Sequence, residues 1–384
     1  MLGLLAGFGA FGVFWGGWAA LLPAIKAAVG GSDSQMGLAF LGGGLGALPA
    51  MIATGPIYDR FRERTLLPVM ILFGASTLLI GLTSSVGWLF GSLLLVGALS
   101  GALDVCINAA VSGWESMSER RLMNIAHAAF SGSFLVASIS VGIARRAGAG
   151  AMAVLLFIAL VMALAAFLNR APEIAPVSGS PRRSLRFDRV FLMLGALCAL
   201  AFIIEGGVES WSALHLERTL GANPAVGGLG PGVFAAAMVS GRMLTHVIGS
   251  RLPDARVLTL GGAMGALGLV TTAAAPEVAW ALAGLVCTGA GISVAAPTLF
   301  GVAGRVAPSS LRGGALSTVT TVGYLGFLVG PPVVGWISGA TTLRTGLACL
   351  AIVSLTLAIF GRRLNDLSLR DVTGAPKQTH SGAA

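Results

Sequence analysis

Two pairs of polar residues stand four apart inside long apolar runs. Asp104 and Asn108 lie in LDVCINAAV, and Glu205 and Glu209 in IIEGGVESW, with Trp211 two residues further on. At that spacing the members of each pair share one helix face, about one turn apart. An amide beside a carboxyl can hydrogen-bond it whether or not it carries a proton, and a dry setting penalises the charged form. The chemistry this suits is reversible protonation. A carboxylate in hydrocarbon costs about 2.5–3.5 kcal/mol on insertion scales, so such acids usually mark pathways or coupling sites. An acid permanently neutralised inside a helix bundle is the other reading, and Glu209, nearer the end of its run, can simply reach water. His127, one turn into another run, could extend a proton route from Asp104 or tie down a helix end. Trp15, Trp18 and Trp211 have faces that stack on a ring-shaped solute and also the shape of interfacial anchors; only Trp211 joins the candidate site.

The elements that must hold these residues are membrane helices. The 384-residue chain is 55% hydrophobic and 10% charged, against about 25% charged in soluble domains. Its 56 glycines suit helices packed closely through small side chains. Runs of roughly 20 apolar residues, enough to cross about 30 Å of hydrocarbon, fall at 3–25, 35–57, 66–84, 88–112, 123–144, 149–168, 190–213, 226–249, 257–275, 278–303, 314–338 and 344–361. The first has no basic residue before its apolar core and no small-residue cleavage pattern before Lys26, so it reads as a retained helix and not a leader. WAALLPAIKAAVG from Trp18 resembles WSALHLERTLG from Trp211, which marks the two halves as a duplicated unit.

Residues 169–189 are rich in proline and arginine and divide the runs six and six. The sequence therefore predicts an all-α membrane protein of twelve transmembrane helices in two pseudo-symmetric six-helix bundles, 1–168 and 190–361, with a cytoplasmic linker at 169–189 and a cytoplasmic tail at 362–384. With both termini cytoplasmic, 19 of the 24 Lys and Arg fall inside and 5 outside, as the positive-inside rule requires. The net charge of +9 thus reports topology, not a nucleic-acid surface. Cys106, Cys198, Cys287 and Cys349 sit in apolar runs without CxxC spacing or a histidine pair, which argues against a metal site or a disulfide framework. No Walker loop, HExxH or GxSxG in a strand-turn-helix setting is present, so neither an enzyme nor an ATP-driven pump is expected, and no cofactor. Glycine clusters such as GGGLG at 42–46 lie within a span and cannot cradle phosphate in the usual way.

This plan is similar to that of the major facilitator superfamily. GPIYDRFRER, Gly55 to Arg64, resembles the family's G-x-x-x-D-R-x-G-R-[KR] loop after span 2, with Gly55, Asp59, Arg60 and Arg64 matching and Arg62 where a glycine is usual. The resemblance implies a cytoplasmic gate in which an acid faces a helix amino terminus and arginines; a purely topogenic basic loop is the plainer alternative. After span 8, GRMLTHVIGSRLPDAR keeps Gly241 and Arg242 but has His246 at the acidic position. LDVCIN resembles the L-E-x-x-x-N of the fucose-permease-like branch, NIAH at 124–127 its N-x-A-Q, and GYLGFLVGPPVVG at 323–335 and the EGG-x-x-x-W of span 7 look like bacterial relatives of that branch. What the resemblance implies is a monomeric secondary carrier in the bacterial inner membrane, with proton-coupled uptake of a sugar-like or other small polar solute through Asp104 and Glu205. Drug or metabolite efflux by proton antiport and a non-transporting solute receptor are the alternatives. Pro331 and Pro332, with Gly326, Gly330 and Gly335, are expected to break span 11.

Overall fold

A computed structural model describes residues 1–118, 122–169, 188–248, 252–308, 311–362 and 364, the side chains of 116–118 and 245–248 excepted. Linker residues 170–187, nearly all of the tail and the side chain of His246 lie outside the described residues. Among the described residues, eleven helical stretches are long and apolar enough to cross a bilayer. One of them, Asp33–Gly81, has 49 residues. As one rod it would measure about 70 Å, more than twice the hydrocarbon thickness. It is two helices, Asp33–Phe61 and Leu66–Gly81, separated by a 3-10 turn at Arg62–Thr65, so the twelve expected crossings are present.

Spans 1 to 6 are Leu2–Val29, Asp33–Phe61, Leu66–Gly81, Val86–Ser118, Met123–Arg146 and Ala151–Leu168. Spans 7 to 12 are Arg189–Thr219, Leu229–Ile248, Asp254–Ala274, Val278–Val306, Arg312–Ala340 and Leu343–Gly361. Local chemistry sets several starts. Ser32 and Gln35 form a reciprocal capping box at the head of span 2, and the Thr342 hydroxyl accepts from the Thr345 N–H at span 12. Span 7 closes on a π turn, His215–Thr219.

Packing repeats between the halves. Span 2 packs on span 4, 1 on 5 and 3 on 6; in the second half 8 packs on 10, 7 on 11 and 9 on 12. Between the halves span 2 meets span 11 and span 5 meets span 8, the same pairing seen from each side. Close approach depends on missing side chains: a Cβ on Gly46 or Gly97 would collide with the backbone of the facing helix, which is the use made of the glycine cluster at 42–46. The duplicated tryptophans Trp18 and Trp211 converge on one ring, Phe40, edge-on at 6.3 and 5.7 Å.

The expected break in span 11 is corrected by the structure, where the helix runs through Pro331 and Pro332 without interruption. Two prolines remove two backbone donors, yet both rings are buried, and span 7 presses against this stretch through Gly206 and Trp211. The interruption in this half falls in span 10, between Ile292 and Ala295.

Arg62 has φ 52° and ψ −137°, the only positive φ of a non-glycine among the described residues. This is the place where the family loop carries glycine, and a side chain there costs on the order of 1–3 kcal/mol. Arg62→Gly should therefore raise stability by about 1 kcal/mol after the entropy of the freer unfolded chain is subtracted. Thermal unfolding in detergent should shift up by a few degrees, whereas Arg62→Ala, which keeps a Cβ, should leave the midpoint unchanged.

Candidate functional site

Asp104 lies near the middle of span 4. The Asn108 side-chain amide donates to the Asp104 carboxylate at 3.0 Å and to its backbone carbonyl at 2.8 Å. From the other half, the Tyr324 hydroxyl near the middle of span 11 reaches the second carboxylate oxygen at 3.5 Å. This distance is at the outer limit of a hydrogen bond, so it is a weak tie, but it fixes the direction: Asp104 faces the second bundle, not lipid. Asp104, Asn108 and Tyr324 are all half-buried. Phe202 lies nearly parallel to Phe327 at 4.6 Å and to Tyr324 at 5.8 Å, which fixes the ring that carries the hydroxyl.

Glu205 and Glu209, also half-buried on span 7, have Arg242 of span 8 within electrostatic reach. Tyr324 stands within electrostatic reach of Glu205 as well as Asp104. Arg242 donates through Nε to the Ser293 carbonyl at 3.3 Å, at the interruption of span 10. The motif reading placed Arg242 in a cytoplasmic gate; here it donates to the Ser293 carbonyl and lies within electrostatic reach of Glu205, Glu209 and His127. His127 is exposed, and its ring meets the edge of Phe8 at 5.2 Å.

Trp211 is placed differently from the expectation of a solute contact. It is fully buried, and its indole N–H donates to the Pro331 carbonyl at 2.9 Å. The large ring and its one donor are committed to joining spans 7 and 11. Gly55 is half-buried, and Asp59, Arg60 and Arg64 are exposed at the end of span 2 on the side of the termini, with the Arg60 guanidinium 5.4 Å over the Phe61 ring. Asp59 falls in the last turn of span 2, where a carboxylate does not meet the positive end of that helix's own dipole. The buried acid of this turn is Glu63, which accepts from the Tyr58 hydroxyl at 3.3 Å.

Sequence reasoning missed a second cluster, at the end of the bundle remote from the amino terminus. Asp33 opens span 2 and accepts two hydrogen bonds from Arg218 at 2.5 Å, one from Ser338 of span 11, and an ion pair from Lys26 at 3.2 Å. Beside it, Arg145 of span 5 grips Glu217 through both terminal nitrogens, at 2.6 and 3.0 Å, and also donates to the Ala20 carbonyl. Positive-inside counting used Lys26, Arg145 and Arg218 only as outside charges. The available signal was an acid, Asp33, close to a lysine at a span boundary.

Comparison with known proteins follows the same line. The Major Facilitator Superfamily family model matches residues 3–331 and again 210–380. An uncharacterized MFS-type transporter of Yersinia pestis is 31% identical over 364 residues, covering 90% of this chain and 90% of its own. Among solved structures, a bacterial homolog of the human lysosomal transporter Spinster, in an inward-facing and occupied conformation, superposes with a TM-score of 0.80 at 15% identity, covering 96% of this chain and 97% of its own. The nucleoside transporter NupG gives 0.77 at 12% identity, covering 96% and 99%.

Trp211→Phe keeps the packing and deletes the donor to Pro331, leaving a buried carbonyl without that partner. The expected cost is about 1–3 kcal/mol, read as a lower thermal midpoint in detergent. Solute binding by the folded fraction should be unaltered, because the indole does not face the acids.

Proposed function

As a member of the Major Facilitator Superfamily, to which this chain belongs, the protein is a multi-pass membrane transporter and not an enzyme, and we propose that it is a proton-coupled carrier that takes up a small polar, sugar-like solute by alternating access. The observation that carries the reading is the placement of Asp104. Its carboxylate is held by an amide on its own helix and touched by a hydroxyl from the opposite bundle. A group so placed can exchange a proton with the space between the halves, and its surroundings change when the halves part. Asn108, Tyr324, Glu205 and Arg242 offer donors and acceptors to a polar solute in that space. Glu205 is the second candidate for coupling, and Glu209 and His127 flank the route on either side.

The Lys and Arg asymmetry supports cytoplasmic termini in a bacterial inner membrane. On that orientation the ion-paired end faces outward and is shut, and the half-buried acids communicate with the cytoplasmic side. A monomer suffices, since each chain supplies both halves.

Purified protein in proteoliposomes, given labelled small solutes with an imposed pH gradient, tests the reading. Uphill accumulation should follow an inward proton gradient. Asp104→Asn should abolish accumulation while exchange of solute across the membrane persists at a rate within several-fold of the parent. Accumulation retained in Asp104→Asn would remove Asp104 from coupling, accumulation driven by an outward and not an inward proton gradient would indicate efflux by antiport, and binding without flux would indicate a receptor.

A further inference from the structure

We propose that the π turn at His215–Thr219 is a double ionic clasp that shuts the transport path at the end remote from the termini, with Asp33 as its central acceptor. The inference rests on alternating access, but not on proton coupling or on the identity of the solute.

The π turn presents two consecutive residues of opposite charge to two different helices of the first bundle. Glu217 takes Arg145 of span 5, and Arg218 takes Asp33 of span 2. Consecutive residues of a helical turn point in different directions around its axis, so one short turn can hold two walls of the other bundle at once. Three of the four side chains are well shielded: Arg145 is 8% exposed, Glu217 14% and Asp33 7%. Asp33 also gathers Lys26 from its own bundle and Ser338 from the second. It therefore accepts from spans 7 and 11 together.

The bundles also touch closely at this end. A Cβ on Gly37 would lie 2.8 Å from the Pro332 carbonyl, and one on Gly142 2.7 Å from that of Pro224. The Ser138 hydroxyl, fully buried, donates to the Gly228 carbonyl at 2.7 Å. Small residues permit the approach, and the ion pairs choose between approached and parted. Buried ion pairs add little stability over an apolar replacement but are strongly sensitive to loss of one partner, which suits a switch. For the remote end to admit solute, water must replace both pairs. In that state all of these charges can be hydrated, so the clasp sets which state is favoured without trapping either.

Ser138→Cys provides the probe, because it changes one atom of a side chain that is sealed while the clasp holds. Intact full-length protein is reacted in oriented membrane vesicles with a membrane-impermeant maleimide, above the background of the four native cysteines. The Ser138→Cys parent should label slowly. Adding Glu217→Arg or Asp33→Asn should raise the rate at least tenfold, and Arg145→Glu combined with Glu217→Arg should return it to within about threefold of the parent. A rescue by exchanged charges is not expected from general loosening of the fold. Equal rates in parent, single and exchanged variants would overturn the clasp. So would a raised rate that the charge exchange fails to lower, and this arm decides the matter if Asp33→Asn does not reach the membrane. Labelling from the cytoplasmic face with the same charge dependence would keep the clasp and reverse the orientation proposed above. Because no solute or proton gradient enters the measurement, failure of proton coupling leaves its outcome untouched.

Discussion

Polar groups inside hydrocarbon have to find their partners within the protein, and this constraint shapes the contacts that matter here. Asp104 cannot turn to water through lipid, so Asn108 is placed one turn away to hold it and Tyr324 reaches from the opposite bundle. The Trp211 indole, buried on span 7, donates to the Pro331 carbonyl of span 11. At the remote end Asp33 is surrounded by a lysine, an arginine and a hydroxyl. Each of these three groups recruits another helix, and in this way their hydrogen bonds also decide which helices are joined.

The joints differ in kind along the membrane normal. Toward the remote end, glycines let the bundles touch and charges lock the contact. Near the middle, the Tyr324 hydroxyl reaches Asp104 across the bundles at 3.5 Å, a marginal hydrogen bond. Toward the termini, Arg242, His127, Asp59, Arg60 and Arg64 are exposed. A molecule that rocks needs a strong, discrete contact at one end and a yielding one at the centre, since packed interfaces pass between alternative arrangements rather than bending continuously. The gradient of contact strength found here is of that form.

How much of this was legible in the sequence depends on the distance over which each signal acts. The spans follow from hydropathy, and their ends agree with the helices to within a few residues. The pairing of Asp104 with Asn108 follows from a four-residue spacing, which is a local property. Arg62 stood out as an arginine where glycine is usual, and its positive φ supplies the cause. Tyr324 and the clasp could not be read, because their partners are far apart in the chain: 220 residues for Tyr324 and Asp104, 185 for Arg218 and Asp33, 72 for Arg145 and Glu217. Trp211 and the two prolines show the converse error. Their residue types suggested a stacking surface and a broken helix; what decided the outcome was the neighbouring span, which sequence periodicity does not identify.

The two bundles share a fold but do not treat their acids alike, and this difference bears on which acid couples to the cycle. Glu205 and Glu209 have Arg242 beside them in the same bundle. When the bundles part, that cation travels with them, and their charge remains compensated. Asp104 has no such cation among its contacts with the described residues. Closed against the second bundle it has Tyr324 as well as Asn108; parted, it keeps only the amide. The free energy of its charged form must therefore differ between the two arrangements, while that of the second-half acids differs less. By linkage, a group whose proton affinity depends on conformation makes the conformation depend on protonation, to the same degree. In the proton-coupled cycle proposed above, an intramembrane acid with a partner on the far side of a moving interface is placed to tie a proton to the rocking motion, and Asp104 has that placement.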